Sequence, residues 1–415
     1  MAETAPAPGA PPGAAAGGLV PGVDAPGFLD DPYPHYHALR ADNPVYQSPR
    51  GDWYLTRYAD VAGVLTDQRF QRQSPHGETP ISRGTRMPSV IDRMLSRWMV
   101  FTDPPLHTRL RGLVGTAFTP KRIAGLHDDI RGIAGRLLDE ALEAERLDLI
   151  GAFAYPLPVM VISRILGVPA EDYGKLKVWS GQLTGALDTG DAEELATGIP
   201  ATEELMAYVA DLIAARRRTP QDDLVSAMLA DSETEDALSD DELLANCVFL
   251  LWAGHETTKN LIGNGTLCLL RNPGEFTRLA ENPGLLGSAV EEFLRYESPI
   301  QKIGRWTRRN VELGGNVIPA GSYVVSVFGA ANRDPEQFPD PDRLDVGRHD
   351  GSNLAFGKGI HHCLGYGLAK LEAQVAFEAL LRRVSAIELD APAPRWQRNA
   401  SIRGLESLPV AVTLR

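Results

Sequence analysis

The chain is poor in cysteine: Cys247, Cys268 and Cys363 are the only three in 415 residues. Three cannot form a dense disulfide framework, and an odd number leaves at least one thiol free in a monomer. A reducing cytoplasm fits that usage, so a cytoplasmic, monomeric protein is expected. Positive charge is scarce beside negative. Lys plus Arg is 41 against 54 Asp plus Glu, a formal net charge of -13. Broad phosphate neutralisation needs the opposite balance, so nucleic acid is not an expected partner. Long hydrophobic runs are missing too. No run reaches the ~20 apolar residues that span a bilayer. The most apolar early stretch, Phe153 to Ile162, holds two prolines and then meets Arg164. No membrane anchor is expected. Residues 1–26 contain no Lys or Arg and are mostly Pro, Ala and Gly. They lack the basic start of a signal peptide and read as a disordered leader.

What remains is an ordinary globular composition, 43% hydrophobic, with helical periodicity over most of its length. Helices are predicted over 106–117, 125–145, 150–166, 171–188, 200–217, 221–230, 273–281 and 284–297. The longest is predicted over 240–271, with Ser239 or Asp240 as its cap and Glu242 in its first turn. Strand-like pieces are short: 52–58, Arg305–Thr307, Val311–Leu313, Val317, Tyr323–Val327, a piece near 387, and 409–414. Residues 71–97 lack a period and are long for a plain connection. Asp334 to Arg343 is too proline-rich for a regular element. With no repeat and no clean linker, the expectation is a mainly α fold with a small β region, a single unit over 27–415.

Two local patterns carry chemistry. The first is Phe356-Gly-Lys-Gly-Ile-His-His-Cys-Leu-Gly365. Its glycines permit tight turns and close approach of backbone to a flat ligand. Cys363 falls at the start of a helix predicted over 364–382, where free N–H groups and the helix dipole favour a thiolate. A thiolate is the axial ligand that pushes electron density onto haem iron and favours O–O cleavage. A structural zinc site needs about four ligands, usually in two separated clusters, and His361, His362 and Cys363 have no such second cluster. Gly357 and Gly359 lack the spacing of a phosphate-cradling loop. An inert buried thiol is the bland alternative, disfavoured by the glycines and histidines around it. Cys247 and Cys268 lie on the long apolar helix without basic neighbours and read as packing.

The second pattern is Ala253-Gly-His-Glu-Thr-Thr258, in the middle of the long helix. A polar cluster in an otherwise apolar helix is an informative exception. The small pair Ala253 and Gly254 leaves room for close approach to the helix. Glu256 and Thr257 set an acid beside an alcohol, a pair able to organise water and relay protons. The bland alternative is a threonine hydroxyl returned to a helix carbonyl.

On these residues the sequence resembles a soluble bacterial cytochrome P450 of actinomycete type. Phe356, Gly357, Gly359, His361, Cys363 and Gly365 fit that family's haem-binding signature, and 253–258 fits its central-helix signature. The likeness runs from about residue 27 to the end. It implies the cytochrome P450 fold, with haem b (iron protoporphyrin IX) between the long helix and Cys363 and the cysteine sulfur on the iron. Ala253 and Gly254 would lie against the cofactor, Phe356 would shield the cysteine loop, and O2 would be co-substrate. Thr257 and Glu256 are the implied catalytic residues, the threonine steadying the reduced oxygen and the glutamate supplying a proton. His107, Arg111, Arg305 and His361 are implied to hold the haem propionates through charge-assisted hydrogen bonds. Arg109 points differently. Glu292, Arg295 and Arg343 match a structural triad behind the haem, serving folding and cofactor retention, and such a buried network must be fully paired.

The implied substrate pocket lies over the haem face opposite Cys363. Its wall candidates are Trp98, Met99, Val100, Trp252, Ala253, Ile303 and Ile402, with plain core packing an equal alternative for each. They are mostly apolar, which suits a hydrophobic small molecule. The haem unit uses the whole length, so electrons are expected from a separate ferredoxin fed by an NAD(P)H-dependent ferredoxin reductase. Lys358, Arg109, Lys121 and Arg122 are candidates for a basic docking patch. The implied activity is monooxygenation, a hydroxylation or epoxidation that tailors a polyketide, macrolide or other secondary metabolite. Oxidative phenol or aryl coupling without net oxygen insertion is the alternative. The intact Glu256–Thr257 pair disfavours a peroxide-driven peroxygenase and a non-catalytic haem sensor.

Overall fold

The computed structural model describes residues 25–77, 90–188, 192–230, 238–349, 351–390 and 393–415. The expectation for the leader therefore falls almost wholly outside the described residues, as do residues 78–89 of the aperiodic stretch. The described chain is mostly helical with small β sheets. Among the described residues no helix is long and apolar enough to cross a membrane.

The helix Asp240–Arg271 organises the rest. It starts where its sequence says it should. Ser239 Oγ accepts from the Glu242 N–H, and Glu242 Oε2 accepts from the Ser239 N–H, a reciprocal cap. It ends before Pro273, because the residue preceding a proline is driven out of the helical region. Its glycines let neighbours come close. A Cβ on Gly254 would lie 2.7 Å from Ile162, and one on Gly265 2.6 Å from Phe377. Gly254 is therefore small enough for close packing against Pro156–Leu166. Cys247 and Cys268 are buried on this helix, and burial pushes the Cys247 thiol up to about 12 and the Cys268 thiol up as well. Both behave as small apolar side chains.

Several predicted helices have different ends, for local reasons. The segment at 150–166 is not one helix. A wide turn at Ile150–Ala154 hands over to Pro156–Leu166, because Pro156 and Pro158 fit only a first turn. The helix predicted from 200 begins eight residues earlier, as Ala192–Arg218, and carries Pro200 inside it. The one predicted over 364–382 is Tyr366–Arg383, so Cys363 precedes the helix instead of starting it. The aperiodic stretch holds a short helix, Val90–Leu95.

The largest sheet has five strands in the order Val45–Gln47, Trp53–Leu55, Tyr323–Val327, Lys302–Thr307 and Phe70–Gln71. Trp53–Leu55 and Tyr323–Val327 run parallel, and the other pairs are antiparallel. This sheet presents Ile303 and Arg305 at alternate positions of one strand, hence on one face. Arg146–Asp148, Pro409–Leu414 and Val384–Leu389 form a second sheet. Arg395–Trp396 and Leu405–Ser407 form a hairpin that carries Gln397 to the central helix.

A candidate haem-thiolate site

The cysteine loop is fixed by its own backbone. Cys363 N–H donates to Phe356 O at 2.8 Å, and Gly357 N–H to Leu354 O at 2.8 Å. Gly357 and Gly359 hold φ of 68° and 74°, a left-handed conformation that favours glycine. A Cβ on Gly359 would lie 2.7 Å from Leu65 O. Phe356 sets its ring 6.3 Å from that of Tyr366 and 6.5 Å from that of His362. Burial pushes the Cys363 thiol up, while the Gly365 N–H that donates to sulfur and the nearby Arg111 pull it down. A cation at the sulfur would turn that balance toward thiolate.

Basic groups crowd one side of this loop. The rings of His107 and His361 lie 4.1 Å apart. Arg111 Nη2 donates to His362 O at 2.6 Å. Arg305 is buried, and its Nε and Nη2 have no hydrogen-bond partner among the described residues, nor does His361 Nε2. Arg72 joins them. Burial first, then Arg72, His107, Arg305 and Arg111, pushes His361 down to about 2. Burial, then Arg72, pushes Arg305 down to about 10. Burial, then Arg111, also lowers His107. The nearby carboxylate, Asp103, accepts from the Arg72 and Gln73 backbone N–H groups. This is a place prepared for added negative charge.

The central helix faces the loop across a cavity of about 610 Å³, within the usual range of ligand pockets. Cys363, Phe356, Gly357, Gly365, His107, Arg111, Arg305 and His361 line it from one side. Ala253, Gly254 and Thr257 line it from the helix. The Thr257 hydroxyl donates to Ala253 O at 3.1 Å, the back-bond of the bland reading, yet the residue still borders the cavity. Glu256 does not border it. Its carboxylate is turned to Lys259 and Gln397. Trp98, Met99, Val100, Trp252, Ile303 and Ile402 are all on the cavity wall. Trp252 Nε1 donates to Thr184 at 2.8 Å, tying the helix Tyr173–Asp188 to the central one. Asn246 accepts from Met99 N–H at 3.0 Å and donates to Arg97 O, which fixes the Trp98–Val100 segment.

Comparisons with known proteins agree with this geometry. The family model described as cytochrome P450 matches residues 200–402. Cytochrome P450 monooxygenase PikC of Streptomyces venezuelae is 40% identical over 393 residues, 92% of this chain and 91% of the relative. Polyketide biosynthesis cytochrome P450 PksS of Bacillus subtilis (strain 168) is 40% identical over 399 residues, 93% and 97% of the two chains. The crystal structure of P450BioI, in complex with an acyl carrier protein ligated to hexadec-9Z-enoic acid, superposes with a TM-score of 0.87. It is 39% identical, over 93% of this chain and 99% of that one. The chain is a cytochrome P450.

Members of this family use haem and dioxygen, and the residues present fit haem. A flat dianion with a metal centre answers three observations at once: the orphan nitrogens of Arg305 and His361, the surplus of cations, and the Cys363 sulfur on the same cavity. Arg72 was not visible as part of this site in the sequence. It is brought in by the sheet, with Nε donating to Val100 O and Nη1 to Gly304 O, and nothing in its local sequence marks it.

Other assignments within this P450 change. Glu292 and Arg295 pair at 2.7 Å and 2.8 Å. Arg343 does not complete the triad. Its side chain is 60% exposed and pairs with Asp345. Arg348 takes the place, with Nε 3.2 Å from Glu292 Oε1 and its side chain 5% exposed. The reason is geometric. The irregular, proline-rich chain after Asp334 presents carbonyls of Pro339, Asp340 and Arg343 to the Arg348 guanidinium. Arg109 is removed from the basic patch by its 2.5 Å pair with Glu242. Lys358, Lys121 and Arg122 remain exposed, and the helix Pro120–Gly125 packs against the start of Tyr366–Arg383. Glu372 is a further residue of the cavity wall. It is buried, its Oε2 has no partner among the described residues, and burial raises its carboxyl well above the usual range. Its position in line with Leu368, Val375 and Ala376 on a buried helical face was a signal available in the sequence.

Proposed function

We propose that this P450 is a haem-thiolate monooxygenase that hydroxylates or epoxidises a hydrophobic small molecule, tailoring a polyketide, macrolide or other secondary metabolite. The observation that carries the reading is one cavity bordered by Cys363, Arg305, His361 and Thr257, with buried nitrogens of Arg305 and His361 left without partners among the described residues. Haem b, when bound, supplies the redox and oxygen-activating chemistry, with O2 as co-substrate. Cys363 sulfur would ligate the iron, and the Gly365 N–H would moderate its donation. Arg305, His361, His107 and Arg111 would hold the two propionates. Trp98, Met99, Val100, Trp252, Ala253, Ile303 and Ile402 would orient substrate and exclude water. Thr257 would hold a proton-bearing hydroxyl at the cavity, fed by Glu256.

The names of the relatives support the substrate class: one acts in polyketide biosynthesis, and another is bound to a fatty acyl chain on a carrier protein. Electrons would come from a separate ferredoxin and its NAD(P)H-dependent reductase, docking at Lys358, Lys121 and Arg122. The test is turnover of a spin-shifting ligand with a surrogate ferredoxin, its reductase and isotopically labelled dioxygen. One labelled oxygen atom in the product is expected. A coupled product without label would replace monooxygenation by oxidative coupling.

A further inference from the structure

The acid of the central helix faces away from the cavity it is expected to serve. Glu256 Oε1 lies 2.5 Å from Lys259 Nζ, three residues along the same helix, and both side chains are about 5% exposed or less. Gln397 Nε2, from the Arg395–Trp396 hairpin, donates to the same oxygen at 3.3 Å. Gln397 is half-buried, so this contact connects the pair toward the surface. Thr257, the next residue of the helix, borders the cavity, which Glu256 does not.

The remaining titratable groups near Glu256 do not replace Lys259. His255 donates its Nδ1–H to Leu251 O at 2.6 Å, and burial favours its neutral form. Tyr155, in the segment just before Pro156–Leu166, is half-buried, and that burial pushes its hydroxyl up to about 12 and keeps it neutral. Lys259 is thus the counter-charge that opposes burial at Glu256 and leaves its carboxyl below its ordinary value.

We propose that Lys259 is a positioning residue that holds Glu256 turned from the cavity and controls when that carboxyl passes a proton toward Thr257. In the paired state the carboxylate carries no proton and points at the ammonium. When the pair parts, the buried carboxylate loses its counter-charge and takes one proton from solvent at the Gln397 end. The carboxylic acid then gives that proton to the Thr257 side and returns as carboxylate to Lys259. One proton moves from solvent to cavity, no electron moves, and both side chains end as they began. The destination of the proton rests on the monooxygenase reading. The pairing and its control of the Glu256 charge do not.

The experiment compares haem-loaded wild type, Lys259→Met, Lys259→Gln, Lys259→Arg and the double variant Lys259→Met/Glu256→Gln by infrared spectroscopy near neutral pH. The neutral variants are expected to gain a protonated-carboxyl stretch that wild type and Lys259→Arg lack and that disappears in the double variant. The pH profile of product formed per NAD(P)H consumed is expected to shift upward in Lys259→Gln and return in Lys259→Arg. The Gln variant keeps a hydrogen bond without charge and serves where Met does not fold. No new stretch in a folded neutral variant, or one that survives Glu256→Gln, would overturn the proposal. A new stretch in a protein that inserts no oxygen would leave the pairing standing and overturn the monooxygenase reading.

Discussion

The molecule buries two groups of charges on opposite plans. Around Glu292 every charge is answered. Arg295 meets both Glu292 oxygens and the carbonyls of Asn332 and Pro341, and Arg348 adds a second guanidinium and closes on three more carbonyls. Nearby, Arg403 pairs with Glu297 at 2.5 Å, and Arg333 lies 3.6 Å from the rings of both Tyr33 and Tyr296. At the cavity end Arg72, His107, Arg111, Arg305 and His361 gather with Asp103 as the carboxylate beside them, and buried donors are left over. A buried polar group without a partner costs free energy. Complete pairing marks scaffold, and the surplus marks the place where a ligand completes the structure.

That contrast can be broken by substitution. The largest effect is expected in the paired group. Arg295→Met leaves Glu292 buried without its principal counter-charge and should destabilise the fold by about 3–5 kcal/mol, measured by denaturant unfolding of the haem-loaded protein. A loss near zero would mean that the pairing is not what holds this region. Next comes the surplus group. Arg305→Ala removes charge-assisted donors worth about 1.5–3 kcal/mol, so haem affinity should fall roughly 10- to 100-fold while the stability of the haem-free protein stays or rises. Haem transfer to an acceptor protein reads the first quantity and thermal unfolding the second. An equal loss of both would make Arg305 scaffold.

Glu372 gives a smaller, pH-dependent effect. Its carboxyl is raised in the folded state, so the folded protein keeps a proton that the unfolded chain releases above the ordinary glutamate value. The unfolded state then binds fewer protons, and stability falls as pH rises, by at most about 1.4 kcal/mol per pH unit. Glu372→Gln should remove that slope between the ordinary carboxylate value and neutrality. An unchanged slope in urea titrations at stepped pH would show that Glu372 ionises freely. The smallest effect is expected at Arg343. Its exposed pair with Asp345 should contribute within about 0.5 kcal/mol, and a loss as large as that of Arg348→Met would restore Arg343 to the network.

What the sequence made legible follows the same division. The ends of Asp240–Arg271 were readable because a reciprocal cap and an Asn-Pro boundary are local devices. The cysteine loop was readable because its glycines and donors are contiguous. Arg348 was not, since the proline-rich chain before it has no period from which to count. Arg72 and Gln397 were not, because a strand pairing and a hairpin bring them to partners far away in sequence. Gly254 borders the cavity, and its close approach to Ile162 is a contact visible only once two helices are packed. The outward turn of Glu256 was half-legible: a lysine three residues on, in a buried helix, is a pairing signal.

The proposed function stands or falls with Cys363 as the thiolate ligand of haem iron within the cation-lined cavity. The most direct measurement is the absorption spectrum of the reduced, haem-loaded protein under carbon monoxide, with Cys363→His beside it. Wild type should show the red-shifted Soret band of thiolate ligation, and the variant should keep haem and lose that band. A folded, haem-loaded wild type without the band, or a variant that retains it, would contradict the account.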